Sequence, residues 1–165
     1  TQINILVGTI IASFESGAVS YLYYADRVYQ INLAVAGIAV STVSLPALSR
    51  SLKKKNFFKI NKIQNLSLEL SLLLSIPASL GLIIAHEEII NALFGYGSFS
   101  EENIKMTSQA LKYFGYGIPA FALVKIFSNF FFARDNTKTP FYISLLIVCI
   151  NIHYWRYLLI LITLL

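Results

Sequence analysis

Charge is what this sequence has least of. Its 165 residues include 13 lysines and arginines and 8 aspartates and glutamates, 13% of the chain, against about 25% in an ordinary soluble domain. So few charges cannot cover a water-facing surface. Cysteine is nearly absent: Cys149 stands alone in an apolar run, which excludes an internal disulfide and a cysteine-built zinc cluster. The two histidines, His86 and His153, have no ligand spacing. There is no Ser-His-Asp set, no phosphate-cradling glycine loop, no HExxH and no CxxC, so nothing points to enzymatic catalysis, a bound metal or a cofactor. Thr1 stands where an initiator methionine would, no signal-peptide pattern follows it, and residues 158–165 break off inside an apolar run. A piece of a larger protein is therefore expected.

What is present is apolar. Hydrophobic residues make up 56% of the chain, mean hydropathy is +0.66, and the apolar residues come in blocks such as 70–85 and 143–152. Crossing a hydrocarbon core takes about 20 mostly apolar residues, a requirement met several times over. The expected fold is all-α: a polytopic transmembrane bundle of about five membrane helices at 2–16, 19–45, 59–94, 105–132 and 140–165, forming a single membrane-helical fragment. Pro46 is expected to end or kink the second helix, and Pro77 with Gly81 to kink the third.

The net charge of +5 would suit nucleic acid, but the basic residues cluster beside apolar spans, where membrane topology explains them better. Residues 50–62 hold Arg50, Lys53, Lys54, Lys55, Lys59 and Lys62 and no acid, interleaved with Phe57, Phe58, Ile60 and Ile63. That pattern predicts a cytoplasmic loop with a helix lying among the headgroups before it turns inward. Glu87, Glu88, Glu101 and Glu102 fall on the opposite side if each segment crosses once. The positive-inside rule then runs the first, third and fifth helices outward and the second and fourth inward.

Arg27 is the most informative residue. It sits about ten helical residues from the turn at Gly17, roughly 15 Å into a ~30 Å core, where a lipid-facing charge is costly. It either lines a polar cavity, where a guanidinium would grip an anionic phosphate, or pairs with an acid such as Asp26 or Glu15. Tyr23, Arg27 and Gln30 share a helix face by their i, i+4, i+7 spacing, and Asp26 and Tyr24 lie in the same stretch. Together they could form a cavity wall; Tyr21 and Tyr23 could equally belong to an interfacial aromatic belt. Lys125 is the second buried charge, and either snorkels to the interface or joins the cavity. His86, beside Glu87 and Glu88, and Glu69, near the lysines, read as interfacial.

The run Gly17-Ala18-Val19-Ser20-Tyr21-Leu22-Tyr23-Tyr24-Ala25-Asp26-Arg27 resembles a signature of the lipid II flippase family (MurJ, also called MviN). The likeness continues through Gly37-Ile38-Ala39-Val40, Leu45-Pro46-Ala47-Leu48-Ser49-Arg50, Phe94-Gly95-Tyr96-Gly97, Lys125-Ile126, Phe132-Ala133-Arg134 and Thr137-Lys138-Thr139-Pro140. The resemblance implies an exporter-superfamily fold of two helical lobes around a cavity, of which this chain is the partial second lobe, helices seven to eleven. It implies a multi-pass protein of the bacterial inner membrane that moves lipid II, the lipid-linked peptidoglycan precursor, outward by alternating access. Its partners would be lipid II, membrane lipids and the missing first lobe of the same polypeptide, with no nucleic acid. Arg27 falls on a family arginine that lines the cavity, and the substrate's pyrophosphate gives it a charge to bind. Departures occur at Glu15, at Asn32-Leu33-Ala34, where the family usually has a proline and a glycine, at Asn136, and in the tail after about Asn151, where a frameshift or degenerate gene end is the expectation. Two other functions are compatible with the residues: export of another lipid-linked glycan or a drug, and a non-transporting bundle in which Arg27 is sealed against an acid.

Overall fold

The computed structural model describes Thr9, Ser13, residues 17–97 and residues 99–163, with side chains as far as residue 150 and at His153. The expected helix at 2–16 lies outside the described residues apart from those two positions. Among the described residues every regular element is helical. In chain order these are α1 (Ala18–Leu33), a π-helical turn (Ala34–Ala39), α2 (Val40–Lys53), α3 (Phe57–Ile84), α4 (His86–Phe94), α5 (Glu101–Phe132) and α6 (Lys138–Thr163). Three helical stretches are long and apolar enough to cross a membrane: Ala18–Lys53, Phe57–Ile84 and Glu101–Phe132. Even the shortest, 28 residues, reaches about 42 Å at 1.5 Å per residue, more than a ~30 Å core needs. The molecule is a membrane-helix bundle.

The helix starts follow from local chemistry. Gly17 takes a left-handed φ of 82° ahead of α1, a conformation that costs glycine least, and its carbonyl accepts from the Tyr21 amide at 3.1 Å. Asn56 caps α3 by accepting from the Lys59 amide at 3.0 Å. Ser100 caps α5 at Asn103, with Glu101 and Glu102 in the first turn, where acids offset the helix dipole.

The prolines do not end helices. Pro46, Pro77 and Pro119 all lie inside them. The Ala18–Lys53 span continues seven residues past Pro46, and the Phe57–Ile84 span breaks at Ala85, where φ −105° and ψ 26° leave the helical region. A membrane helix tolerates proline when a neighbour satisfies the carbonyl that the missing N–H would have met. For Pro119 that carbonyl belongs to Gly115, and the Ser79 hydroxyl of α3 donates to it at 2.7 Å.

The basic stretch 50–62 forms no separate helix of its own. α2 carries on to Lys53, α3 starts at Phe57, and only Lys54–Asn56 connect them. Lysine side chains end both helices and need no separate surface helix to reach water.

The three spans pack as a triangle. Along α1, the π turn and α2, contacts move forward along α5: Tyr21 bonds Asn103 at 3.0 Å, a Cβ on Gly37 would come within 3.3 Å of the Ala122 Cα, and Asn129 donates to the Ser41 carbonyl at 2.8 Å. These two spans therefore run parallel, and α3 runs antiparallel against both. Ser67, Ser71, Ser75 and Ser79 recur at every fourth position of α3, and all are buried. Small side chains let helices approach closely where lipid removes the hydrophobic drive to associate. A Cβ on Gly115 would come within 3.1 Å of Ile83 Cγ1. One apolar cluster joins Ala25, Val28, Tyr29, Leu82, Ile90, Leu111 and Ile118; a second, at the other end, joins Leu48, Ile60, Ile126, Phe130 and Ala133. The acids Glu87, Glu88, Glu101 and Glu102 thus mark the end opposite the lysines of the α2–α3 turn. α6 stands apart: every side chain from Phe141 to Ile147 is exposed.

Candidate functional site

The candidate residues lie on the outward side of α1. Its inward side is fixed by aromatic packing. Tyr29 is buried, with ring centroids 5.4 Å from Phe114 and 5.8 Å from Phe121 on α5. Tyr24 packs on Phe94 and Phe99 at 5.0 and 5.5 Å. Tyr21 bonds Asn103. With those three tyrosines locked, the phase of α1 is set, and Tyr23, Arg27 and Gln30 all emerge exposed along one stripe.

Within the stripe, Arg27 Nη2 donates to the Tyr23 hydroxyl at 2.8 Å, and the guanidinium carbon lies 4.6 Å from the centre of the Tyr23 ring. One contact is a hydrogen bond and the other a cation–π interaction, each favourable to a charge removed from water. Asp26, half-buried, accepts a short hydrogen bond from Gln30 Nε2, one helical turn on. The two charges are neighbours in sequence, but each is held by a neutral partner one helical turn away. Among the described residues Arg27 has no ion pair with an acid. Glu15, the other acid considered, lies outside the described residues. Arg27 is the tenth residue of its helix, about 14 Å from its start.

Lys125 belongs to a different level of the bundle. It is exposed on α5, three residues beyond the Ala122 that faces Gly37. Gly37 is itself ten residues, or about 15 Å, along from Arg27. The structure brings Tyr23, Asp26, Arg27 and Gln30 together and leaves Lys125 outside the group. His86 serves the backbone: Nδ1 lies 3.1 Å from the Ile83 carbonyl at the end of α3. Among the described residues no three His, Cys, Asp or Glu side chains converge as metal ligands.

Two hollows open in the bundle, one beside α3 and one between α4 and α5. One, of about 350 Å³, is largely apolar and lies between α1 and α3 at Ile31, Asn32, Ala78 and Gly81. The other, of about 510 Å³, lies at the acidic end, where Glu87, Glu88 and Glu101 meet Lys105. The sequence reading named neither. The buried serine row of α3 was also missed, although its four-residue spacing was available as a signal.

Comparison with known proteins is consistent along the chain. A family model described as lipid II flippase MurJ matches residues 1–164, including the stretch after Asn151 that the sequence reading set apart. The probable lipid II flippase MurJ of Rhizobium meliloti (strain 1021) is 45% identical over 152 residues, covering 92% of this chain and 28% of the relative. The probable lipid II flippase MurJ of Rickettsia prowazekii (strain Madrid E) is 40% identical over 150 residues, 91% of this chain and 30% of the relative. That of Thermotoga maritima is 37% identical over 153 residues, 92% and 31%. The chain thus spans about three-tenths of the length of the curated relatives it matches. No solved structure matches it.

Proposed function

As this chain belongs to the lipid II flippase MurJ family, we propose that it forms part of a transporter that carries lipid II from the cytoplasmic to the periplasmic face of the bacterial inner membrane. The observation that carries this reading is Arg27, a permanent positive charge on an exposed helix stripe with no acid paired to it among the described residues. A guanidinium offers five N–H donors, and Tyr23 takes one. The others are free for a bidentate grip on a pyrophosphate. Gln30 hydrogen-bonds the Asp26 carboxylate, and Arg27 bonds Tyr23 instead of that carboxylate.

In this reading α1 forms one wall of a central cavity, with the rest of the wall supplied by the remainder of a longer protein. The cavity opens to one face and then the other as two lobes rock, and the substrate's pyrophosphate rides against Arg27. The chemistry is binding and release, with no bond made or broken. Lys125, a level further along α5, would meet the substrate only at another stage of its passage.

Complementation tests this. The full-length protein, as wild type and as Arg27→Ala, is expressed in bacteria depleted of their own lipid II flippase. Wild type should restore growth. Arg27→Ala at equal abundance should not, and Arg27→Lys should restore it partly, because the charge stays while the bidentate geometry goes. Growth with Arg27→Ala equal to wild type would remove Arg27 from the transport mechanism. Lysis despite well-inserted wild type would remove lipid II as the substrate.

A further inference from the structure

The apolar packing of the three spans gathers at two levels and thins between them. One cluster, toward the acidic end, centres on Tyr29, Leu82, Leu111 and Ile118. The other, toward the lysine end, centres on Leu48, Ile60, Ile126 and Phe130. Among the described residues, no side chain larger than serine is buried in the layer between. From Tyr29 to Leu48 the buried residues are Ala36, Gly37, Ser41 and Ser44. From Ile60 to Leu82 they are the four serines of α3, and from Ile118 to Ile126 Ala122 stands alone. Large side chains that interdigitate resist a change of angle between helices, and small ones offer few contacts to break. The hydroxyls add little hold: the buried Oγ atoms of Ser41 and Ser71 have no partner among the described residues. The bonds from Ser79 to the Gly115 carbonyl and from Asn129 to the Ser41 carbonyl fall at the two margins of the layer.

The backbones are weakened at the same level. Gly37 faces Ala122, so the π turn Ala34–Ala39 lies beside residues 119–124 of α5. There Pro119 leaves the Gly115 carbonyl without its helical amide. Ser79 of the antiparallel α3 bonds that same carbonyl. Counting two residues back from Ser79 sets Pro77 opposite residue 117, within roughly 3 Å of the level of Pro119. Pro77 deprives the Leu73 carbonyl in the same way. All three spans thus interrupt their regular hydrogen-bond ladder in one transverse layer, and prolines and π turns are where helices bend. We propose that this layer is a hinge, across which the half of the bundle that bears Arg27 bends as a unit against the half that bears Leu48 and Phe130. The flexing lies within the bundle and is distinct from the rocking of whole rigid lobes. It belongs to these spans whatever the cargo, and its use in moving cargo rests on the lipid II reading above.

The test compares the purified full-length protein in nanodiscs with a variant carrying Pro77→Ala and Pro119→Ala. The restored amides close the Leu73 and Gly115 carbonyls within their own helices. In the wild type, hydrogen exchange read by mass spectrometry should run about tenfold faster at residues 71–76 and 115–122 than at 108–112 and 126–130, as it does wherever a segment opens locally. The double variant should lose that contrast and hold or gain thermal stability. Its lipid II transport in proteoliposomes should fall about tenfold, the effect of making the bent state ten times rarer, with lipid II binding unchanged. Pro46→Ala, which lies below the layer beside Leu48, should leave exchange in the layer as in wild type. Uniform exchange along α3 and α5 of the wild type, contrast that persists in the double variant, or a double variant that transports at the wild-type rate would each overturn the hinge. A wild type that shows the contrast and moves no lipid II would keep the hinge and remove lipid II as the cargo.

Discussion

Tyr23 holds Arg27 in two ways that can be separated. Its hydroxyl accepts a hydrogen bond and its ring faces the cation. Tyr23→Phe keeps the ring and removes a charge-assisted bond worth about 1.5–3 kcal/mol when buried and less on an exposed stripe. Transport measured in proteoliposomes should fall about threefold to tenfold, and Tyr23→Ala should fall further, with protein abundance unchanged in both. If both variants match wild type, Tyr23 belongs to the interfacial belt and not to the site. The spacing of Tyr23, Arg27 and Gln30 already showed that they share a face, because a helix repeats on itself at four and seven residues. The pairing of Asp26 with Gln30 obeys the same rule but was not read, since a four-residue spacing names candidate partners without choosing among them. Lys125 illustrates the opposite limit: counting from a span end gives depth, and neither face nor neighbour.

At the scale of the helix, the π turn explains why the Ala18–Lys53 span carries no continuous buried stripe. Counted at 100° per residue, the buried positions of α2 (Ser41, Ser44, Leu48, Ser51) fall roughly 100–130° round from those of α1 (Ala25, Val28, Tyr29). A π turn holds one residue more than an α turn, and Ala34–Ala39 absorbs that offset. Deleting the exposed Val35 should convert the turn to α-helix and keep both faces in phase, leaving thermal stability in detergent nearly unchanged. Inserting one alanine after Val35 should rotate α1 by about 100°, swing Arg27 off its stripe and lower both stability and complementation. Equal effects from the two changes would mean that the turn does not set the phase. The spans themselves were legible because charge is scarce enough to outline them. The breaks were not: Pro46 and Pro77 announce interruptions that a membrane helix can tolerate, whereas Ala85 announces nothing.

For the whole molecule, the sequence did place the basic residues and the acids at opposite ends, because charge alternates from one connection to the next. It did not show how the spans associate, since that rests on the small residues of α3 and on Gly37 and Gly115, which look unremarkable in a linear reading. It also gave no sign that α6 packs unlike the rest, although its tail after Asn151 reads as a departure from the family pattern. From Phe141 to Ile147 that helix exposes every side chain, which in water would be ruinous and in lipid costs little. The consequence belongs to the order of assembly. Membrane helices can insert first and associate afterwards, so a helix whose described side chains from Phe141 to Ile147 are all exposed is not expected to nucleate its neighbours. Truncation after Thr137 should therefore leave amide exchange in α3 and α5 as slow as in the longer chain. Faster exchange there would mean that α6 braces them. If exchange is unchanged, the three packed spans come together early, and α6 is a late arrival, available to whatever helix reaches it next.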